Sequence, residues 1–287
     1  MRTLLTVGLA IALMGSPLEG QLEAYRGGRG DGVADLWSPF RLANVLPTGQ
    51  LIIPVFEGWY RNPDGTKTLS WGYFNMNSEE VIDLPLGADN YIEPREFDGV
   101  QPTHFMAAPT ERGRRNRHES VFTITVPGDY DDDVVWTLRV RGQTIPSAAS
   151  PTSVAYEMLN IESSTSAPVA PVLKLDANDS EGRGRVGPTA GPLNVSVGEP
   201  LTLEASVDLL SRRASRVSWY HHQGPGDVVF SQRETNVEGS GELDVMTTAR
   251  FSEAGNYLLR VTVLERTSAL VQHCCWTNGY VQVSVTP

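Results

Sequence analysis

The length, composition and charge of the chain limit what it can be. It has 287 residues, with 23 basic against 34 acidic side chains and a formal net charge of -11. This acidic balance disfavours nucleic acid and anionic membrane surfaces as partners, which leaves a protein or a glycan. Its 27 glycines and 19 prolines leave few stretches that could sustain helices. Neither a cofactor nor an oligomeric state is indicated by the composition.

The first twenty residues predict export. Met1 and Arg2 give a positive start, and an uncharged, mostly apolar run of 11 residues extends from Leu4 to Met14. Because a helix needs about 20 residues to span a bilayer, this run predicts a cleaved secretory signal over residues 1–20. We expect a flexible leader over residues 21–48, no integral membrane segment, and a periplasmic or extracellular location.

The rest of the chain is longer than most single cores use, so we expect two domains. The first is predicted over residues 49–162 as a β-sandwich. Two β-prone runs, Leu51 to Tyr60 and Thr66 to Asn75, flank Pro63-Asp64-Gly65 and predict a hairpin. Further strands are predicted at Val81–Leu84, Val121–Val126, Val134–Val140 and Val154–Ile161.

A linker and a second sandwich follow. Small residues and prolines predict a linker over residues 163–192, with irregular chain from Asp176 to Pro192. Residues 193–287 contain seven short alternating runs, which fit one immunoglobulin-sized sandwich. They are Leu193–Val197, Leu201–Val207, Val217–His222, Val228–Ser231, Leu243–Phe251, Tyr257–Leu264 and Tyr280–Val285. The fold class is therefore predicted as all-β, with two consecutive β-sandwich domains.

Several stretches of the second predicted domain share a recognisable pattern. They include Val197-Gly198-Glu199-Pro200-Leu201, Val217-Ser218-Trp219-Tyr220 and the run from Thr247 to Val263. This pattern resembles the PKD-type immunoglobulin-like repeats of secreted and cell-surface proteins, whereas residues 49–162 resemble no family. The resemblance implies an immunoglobulin-like fold and no particular activity. The residues agree with it, because Trp219 is expected in the core and Tyr257 in a tyrosine corner.

Four aromatic side chains on the first hairpin are candidates for ligand binding. Trp59, Tyr60, Trp71 and Tyr73 could form an exposed strip that stacks on sugar rings, which would make the first domain a carbohydrate-binding module. Strand alternation instead predicts that half of these rings pack in the core. The two alternatives make opposite predictions about the exposure of the rings.

The adjacent residues Cys274 and Cys275 form the most unusual local feature. They cannot staple distant strands to each other. In an oxidising compartment they could form a strained vicinal disulfide, and buried thiols or an intermolecular disulfide are the alternatives. With His273 they could instead bind a soft metal, which would make the chain a metal-handling protein. A second pair, His221-His222, is predicted at the surface because a strand can direct only one of two neighbours inward.

No catalytic motif is apparent in the sequence. There is no nucleophile paired with a base, no glycine-rich phosphate loop and no dense metal motif, although carboxylates that meet only in space remain open. The sequence therefore favours an exported, non-catalytic binding or scaffolding protein, with catalytic residues and metal ligands both unassigned.

Overall fold

The computed structural model describes residues 46–107, 117–158, 170–209, 214–239, 241–265 and 276–287, which all belong to one compact unit. In these residues it contains eighteen β-strands and three short 3-10 turns, with no α-helix. The predicted all-β class is confirmed. Two separate apolar clusters lie in the unit, one within residues 52–149 and the other within residues 173–285. We refer to residues 46–158 as the N-terminal half and to residues 170–287 as the C-terminal half.

The N-terminal half is built around the predicted hairpin, which is confirmed. Strands β1 (Ile52–Arg61) and β2 (Lys67–Asn75) pair antiparallel around a turn in which Asp64 accepts hydrogen bonds from the amide and hydroxyl of Thr66. Strand β6 (Arg117–Val126) pairs with β2 on its other side, giving the order β1-β2-β6.

Two smaller sheets complete this half. Strands β4 (Asn90–Glu93), β7 (Val134–Val140) and β8 (Gln143–Ala149) form one, and β3 (Ile82–Asp83) with β5 (His104–Phe105) forms the other. Sequence reasoning missed β8, which follows β7 through the tight turn Arg141-Gly142, where both residues have positive φ. The strand predicted at Val154–Ile161 is not formed in its described part, which contains a 3-10 turn at Val154–Tyr156.

The C-terminal half consists of two five-stranded sheets. Their orders are β10-β9-β12-β16-β14 and β11-β18-β17-β13-β15. All seven predicted strands are present, and β9, β10 and β15 are additional. The bounds are β9 Val172–Leu175, β10 Ser180–Arg183, β11 Thr189–Ser196, β12 Leu201–Asp208, β13 Ser215–Gln223, β14 Val228–Phe230, β15 Glu234–Val237, β16 Glu242–Phe251, β17 Gly255–Glu265 and β18 Trp276–Thr286.

The irregular chain predicted between Asp176 and Pro192 is wrong in part, because β10 and the start of β11 lie there. Strand β10 pairs only with β9 and buries none of its four side chains, so it shows no apolar alternation from which a strand could be predicted. It is held by main-chain pairing to a neighbour that is itself anchored on β12.

Two expectations for the C-terminal core are confirmed. Trp219 is 2% exposed within the apolar cluster between the two sheets. The Tyr257 hydroxyl donates to the carbonyl of Glu253 at 2.8 Å, which is the hydrogen bond of a tyrosine corner at the start of β17. The half therefore has an immunoglobulin-like sandwich architecture.

Candidate functional site

The two halves meet along a buried set of polar groups. We call this set the polar interface and define it by its residues: Gly99–Met106 and Arg117–Val121 from the N-terminal half, and Tyr220–Gly224, Arg233, Arg260, Asn278 and Tyr280 from the C-terminal half. Most of the second group lies on β13, β17 and β18, which are neighbours in one sheet. That sheet therefore covers the core on one face and contacts the N-terminal half on the other.

Hydrogen bonds that involve main-chain groups join the two halves next to β5. The amide of Thr103 donates to the carbonyl of His222 at 2.9 Å, and the amide of Gly224 donates to the Thr103 hydroxyl at 3.3 Å. The Gln223 amide group donates to the carbonyls of Gly99 and Gln101 at 2.9 and 2.6 Å. These contacts join the end of β13 to the segment before β5.

Asn278 is the most fully hydrogen-bonded side chain of the interface. Its Nδ2 donates to the carbonyl of Ser120 in the N-terminal half at 2.7 Å and to the carbonyl of Arg185 at 3.0 Å. Its Oδ1 accepts from the Thr262 hydroxyl at 3.1 Å. The residue is 0% exposed, so these bonds replace all contact with water. The Tyr280 hydroxyl adds a bond to the Val121 carbonyl at 3.1 Å.

Ser120 connects the interface to a buried carboxylate. A β-bulge after Phe56 turns Glu57 toward β6, where it accepts from the amide and hydroxyl of Ser120 at 2.9 and 3.1 Å. Arg117 pairs with the same carboxylate at 2.9 Å. Ser120 has φ of 45°, a region that non-glycine residues rarely adopt. This left-handed residue lies within β6 at the irregularity in its pairing with β2, and it directs its amide at Glu57 and its carbonyl at Asn278.

Two guanidinium groups lie against one aromatic ring. Arg260, 4% exposed, lies 4.6 Å from the centroid of Tyr220, and the exposed Arg233 lies 5.3 Å from the same ring. Arg260 donates to the carbonyl of Ser120 at 3.3 Å, and its Nε has no partner among the described residues. Over those residues neither guanidinium forms an ion pair with a carboxylate. The interface therefore holds positive charge that cation–π contacts stabilise.

Four of the five histidines lie at this interface, two from each half. The rings of His104 and His221 stack with centroids 4.3 Å apart, and His104 Nδ1 lies 2.7 Å from an Asp83 carboxylate oxygen. His118 stacks on Tyr73 at 4.5 Å. His222 Nε2 lies 3.0 Å from the carbonyl of Val100, so this nitrogen carries the proton of the bond.

The prediction of a surface His221-His222 pair is wrong. The side chains are 4% and 2% exposed. Strand β13 has a bulge between His221 and Gln223, and its outer face is covered by the N-terminal half. Alternation within one strand could not reveal that both of its faces are buried.

Burial keeps the imidazoles of His118, His221 and His222 neutral. It lowers the pKa of His118 to about 3 and that of His222 to about 3, with the charge of Arg260 acting in the same direction at both. Burial followed by the neighbouring His104 lowers the pKa of His221 to about 4. Burial raises the pKa of Tyr280 to about 12, so its hydroxyl keeps its proton.

The predicted strip of exposed hairpin aromatics is not present in the structure. Trp59, Tyr60, Trp71 and Tyr73 are 1%, 0%, 0% and 3% exposed. Trp71 stacks on Phe122 in the N-terminal core, and Tyr60 lies under the guanidinium of Arg185 from the C-terminal half. Alternation predicted that half of these rings would be buried. Three of them, Trp59, Trp71 and Tyr73, belong to the N-terminal apolar cluster, and Tyr60 is covered from the C-terminal half.

Other candidate features fall outside the described residues. These are the predicted signal over residues 1–20, residues 21–45 of the leader predicted over residues 21–48, and the loop with His273, Cys274 and Cys275. In the part of the chain that the structure describes, no group of three or more histidine, cysteine, aspartate or glutamate side chains could hold a metal ion. No helix there is long and apolar enough to cross a membrane.

Comparison with known proteins gives a likeness in fold only. No family model matches the chain, and no curated protein matches its sequence. The D00-D0 domain of intimin is 14% identical with a TM-score of 0.27, covering 83% of this chain and 100% of its own. A PapD-like domain of human CEP192 is 9% identical with a TM-score of 0.31, covering 47% and 96%. The CARDB domain of PF1109 from Pyrococcus furiosus is 15% identical with a TM-score of 0.24, covering 41% and 96%.

These TM-scores are low, so the comparison assigns neither a function nor a partner to this chain. The immunoglobulin-like architecture rests on the sheets themselves and on the positions of Trp219 and Tyr257. A PKD-type identity for residues 193–287 stays a prediction.

Proposed function

We propose that this chain is an exported, non-catalytic binding or scaffolding protein of the cell envelope or extracellular space. In this proposal its two sandwich domains act as one rigid support. The observation that carries it is the polar interface, in which buried side chains of each half bond to main-chain groups of the other. Domains joined in this way lose several buried hydrogen bonds if they move apart, whereas loosely docked domains rotate freely.

The contacts of the interface are specific in position. Asn278, Tyr280 and Arg260 all bond to the adjacent carbonyls of Ser120 and Val121. Gln223 and His222 bond to three consecutive carbonyls, those of Gly99, Val100 and Gln101. Two separate groups of bonds fix translation and rotation together, which suits a protein that presents its surfaces at a constant angle to a protein or glycan partner.

Backbone NMR relaxation tests the rigid support. We expect one rotational correlation time for amides of both halves, with N278A as the variant that weakens the interface and T248A, on the solvent face of β16, as the matched control. Two distinct and shorter correlation times in the unsubstituted protein would contradict the proposal.

Processing and activity test the rest of the proposal. Intact mass and cell fractionation should find a chain cut near Gly20 in the envelope or medium, and an unprocessed cytoplasmic chain would reject export. A turnover that disappears in a correctly folded E57Q variant would contradict a non-catalytic role, because Glu57 is a buried carboxylate held by a charged partner.

A further inference from the structure

We propose that the polar interface is an acid-sensitive contact, which separates in mild acid while each sandwich keeps its own core. The geometry points to this because histidines from both halves are buried there beside permanent positive charge. The inference concerns the interface itself and does not depend on where the protein acts or what it binds.

Each buried histidine faces groups that oppose a second proton. The ring of His118 stacks on Tyr73, and its Nε2 has no partner among the described residues. Burial and the charges of Arg260 and Arg233 lower its pKa by more than its main-chain contacts with Met106 and Ala107 raise it. His222 contacts the Tyr280 ring and bonds to the Val100 carbonyl, and the pKa-raising effect of that bond is outweighed by burial and by the charge of Arg260. A proton on either ring would add positive charge near Arg260, which pairs with no carboxylate of the described residues.

His221 lies between the His104 ring and the Tyr257 ring. Among the described residues, the carboxylate that faces this pair is that of Asp83, whose side chain is 60% exposed and already bonded to His104. Glu57, the other nearby acid, is occupied by Arg117 and Ser120. Glu119, next to His118, is on the exposed side of β6. Within the described part of the chain, the interface therefore offers no free buried anion that could neutralise three imidazolium ions.

The direction of the pH effect follows from linkage. The pKa values of His118, His221 and His222 are about 3, 4 and 3 in the closed interface, against 6.5 for a solvated histidine. At a pH between these closed-state pKa values and 6.5, the separated state therefore binds more protons than the closed state. The closed interface is most stable above about pH 6.5 and weakens as the pH falls toward about 4, by roughly tenfold per pH unit for each histidine that separation exposes.

The cores have no such weakness. The two apolar clusters share no residue, and the contacts within them are apolar contacts that protonation does not change. Opening the interface would expose polar groups that can bond to water together with tyrosine rings such as Tyr60 and Tyr220, whereas opening a core would expose Trp71, Trp136 or Trp219 at a larger cost. Acid should therefore break the interface before it unfolds either sandwich.

Small-angle X-ray scattering combined with far-UV circular dichroism tests the proposal on the purified protein. We expect a reversible increase in the radius of gyration between about pH 6.5 and pH 4 with the β-sheet signal retained. In H118Q/H221Q, which keeps polar side chains that do not titrate, the expansion should move to lower pH by about one unit or disappear. K174Q, a loss of charge on β9 in the other sheet, should behave as the parent.

Hydrogen exchange in the unsubstituted protein gives a second measurement if the double variant does not fold. The Thr103 amide bonds across the interface, so it should lose protection in acid before the amides of the β12–β16 ladder. A constant radius down to pH 4, simultaneous loss of the sheet signal and the compact form, or equal midpoints for parent and H118Q/H221Q would each overturn the inference. Equal protection of Thr103 and the ladder would do the same.

Discussion

The two sheets of the C-terminal sandwich differ in what covers their outer faces. Strand β16 alternates regularly between buried and exposed residues, and its outward Met246 is 62% exposed. Strand β18 begins with four residues that are all buried, although alternate side chains must point to opposite faces. The first sheet has one face in solvent, and the second is an internal layer between two cores. Polar side chains on the outer face therefore contact solvent in the sheet that contains β16. In the sheet that contains β18 they form specific contacts with the N-terminal half.

The largest effect on the free energy of unfolding should come from substitution of Gly187, which contacts the Asn278 main chain. Gly198, which has open space around it, provides the comparison. A Cβ at Gly187 would lie within van der Waals overlap of the Asn278 main chain, whereas a Cβ at Gly198 would meet nothing within 4 Å, and both residues have positive φ. We expect G187A to lower the free energy of unfolding by about 3 kcal/mol or more, since overpacking adds to left-handed strain, and G198A by about 1 kcal/mol from strain alone. Urea titration of the two variants measures the difference. Equal losses would show that the Asn278 backbone yields without cost.

Removal of the Asn278 amide should have the next largest effect. N278A leaves the buried Ser120 and Arg185 carbonyls without this donor, so we expect a loss of about 2–3 kcal/mol in the free energy of unfolding. The matched change T248A on β16 should stay within about 0.5 kcal/mol. Denaturant unfolding of both variants is the measurement. A small effect of N278A would mean that water replaces the amide and that the covered face is wetter than the structure indicates.

The smallest effect is expected at the edge of the interface. Y280F removes one hydroxyl that bonds to the Val121 carbonyl, and we expect a loss of about 1 kcal/mol. V229A, at a 64% exposed position on β14, provides the comparison on the open sheet and should be near neutral. Differential scanning calorimetry can resolve the two. If Y280F leaves the free energy of unfolding unchanged, the stabilising contacts of the interface are those of Asn278 and of the end of β13.

Much of the fold could be predicted from local sequence. The hairpin follows from Pro63-Asp64-Gly65, and the C-terminal strands follow from alternation around Trp219 and Tyr257. Strand β10 could not be predicted, because a four-residue edge strand held by main-chain pairing has no pattern of its own. Strand β8 was missed although its tight Arg141-Gly142 turn was a usable signal.

The polar interface could not be predicted, although its residues were visible. The His221-His222 pair was predicted at the surface, but it is buried between the halves, and of the hairpin aromatics Tyr60 is covered by Arg185 of the C-terminal half. A signal did exist in β2, where Thr68, Ser70 and Gly72 are small or polar on the face opposite Leu69 and Trp71. Such residues are equally typical of a solvated face, so their burial was not evident.

The sequence by itself determined the all-β class, the positions of most strands and the inward side of each, because strand periodicity and turn chemistry act over a few residues. Only the tertiary structure decided which outer faces meet, and with them the surroundings of His118, His221, His222 and Arg260. That decision depends on hydrogen bonds between residues more than 100 positions apart, such as Asn278 to Ser120 and Gln223 to Gly99. Local pattern has no information about such pairs.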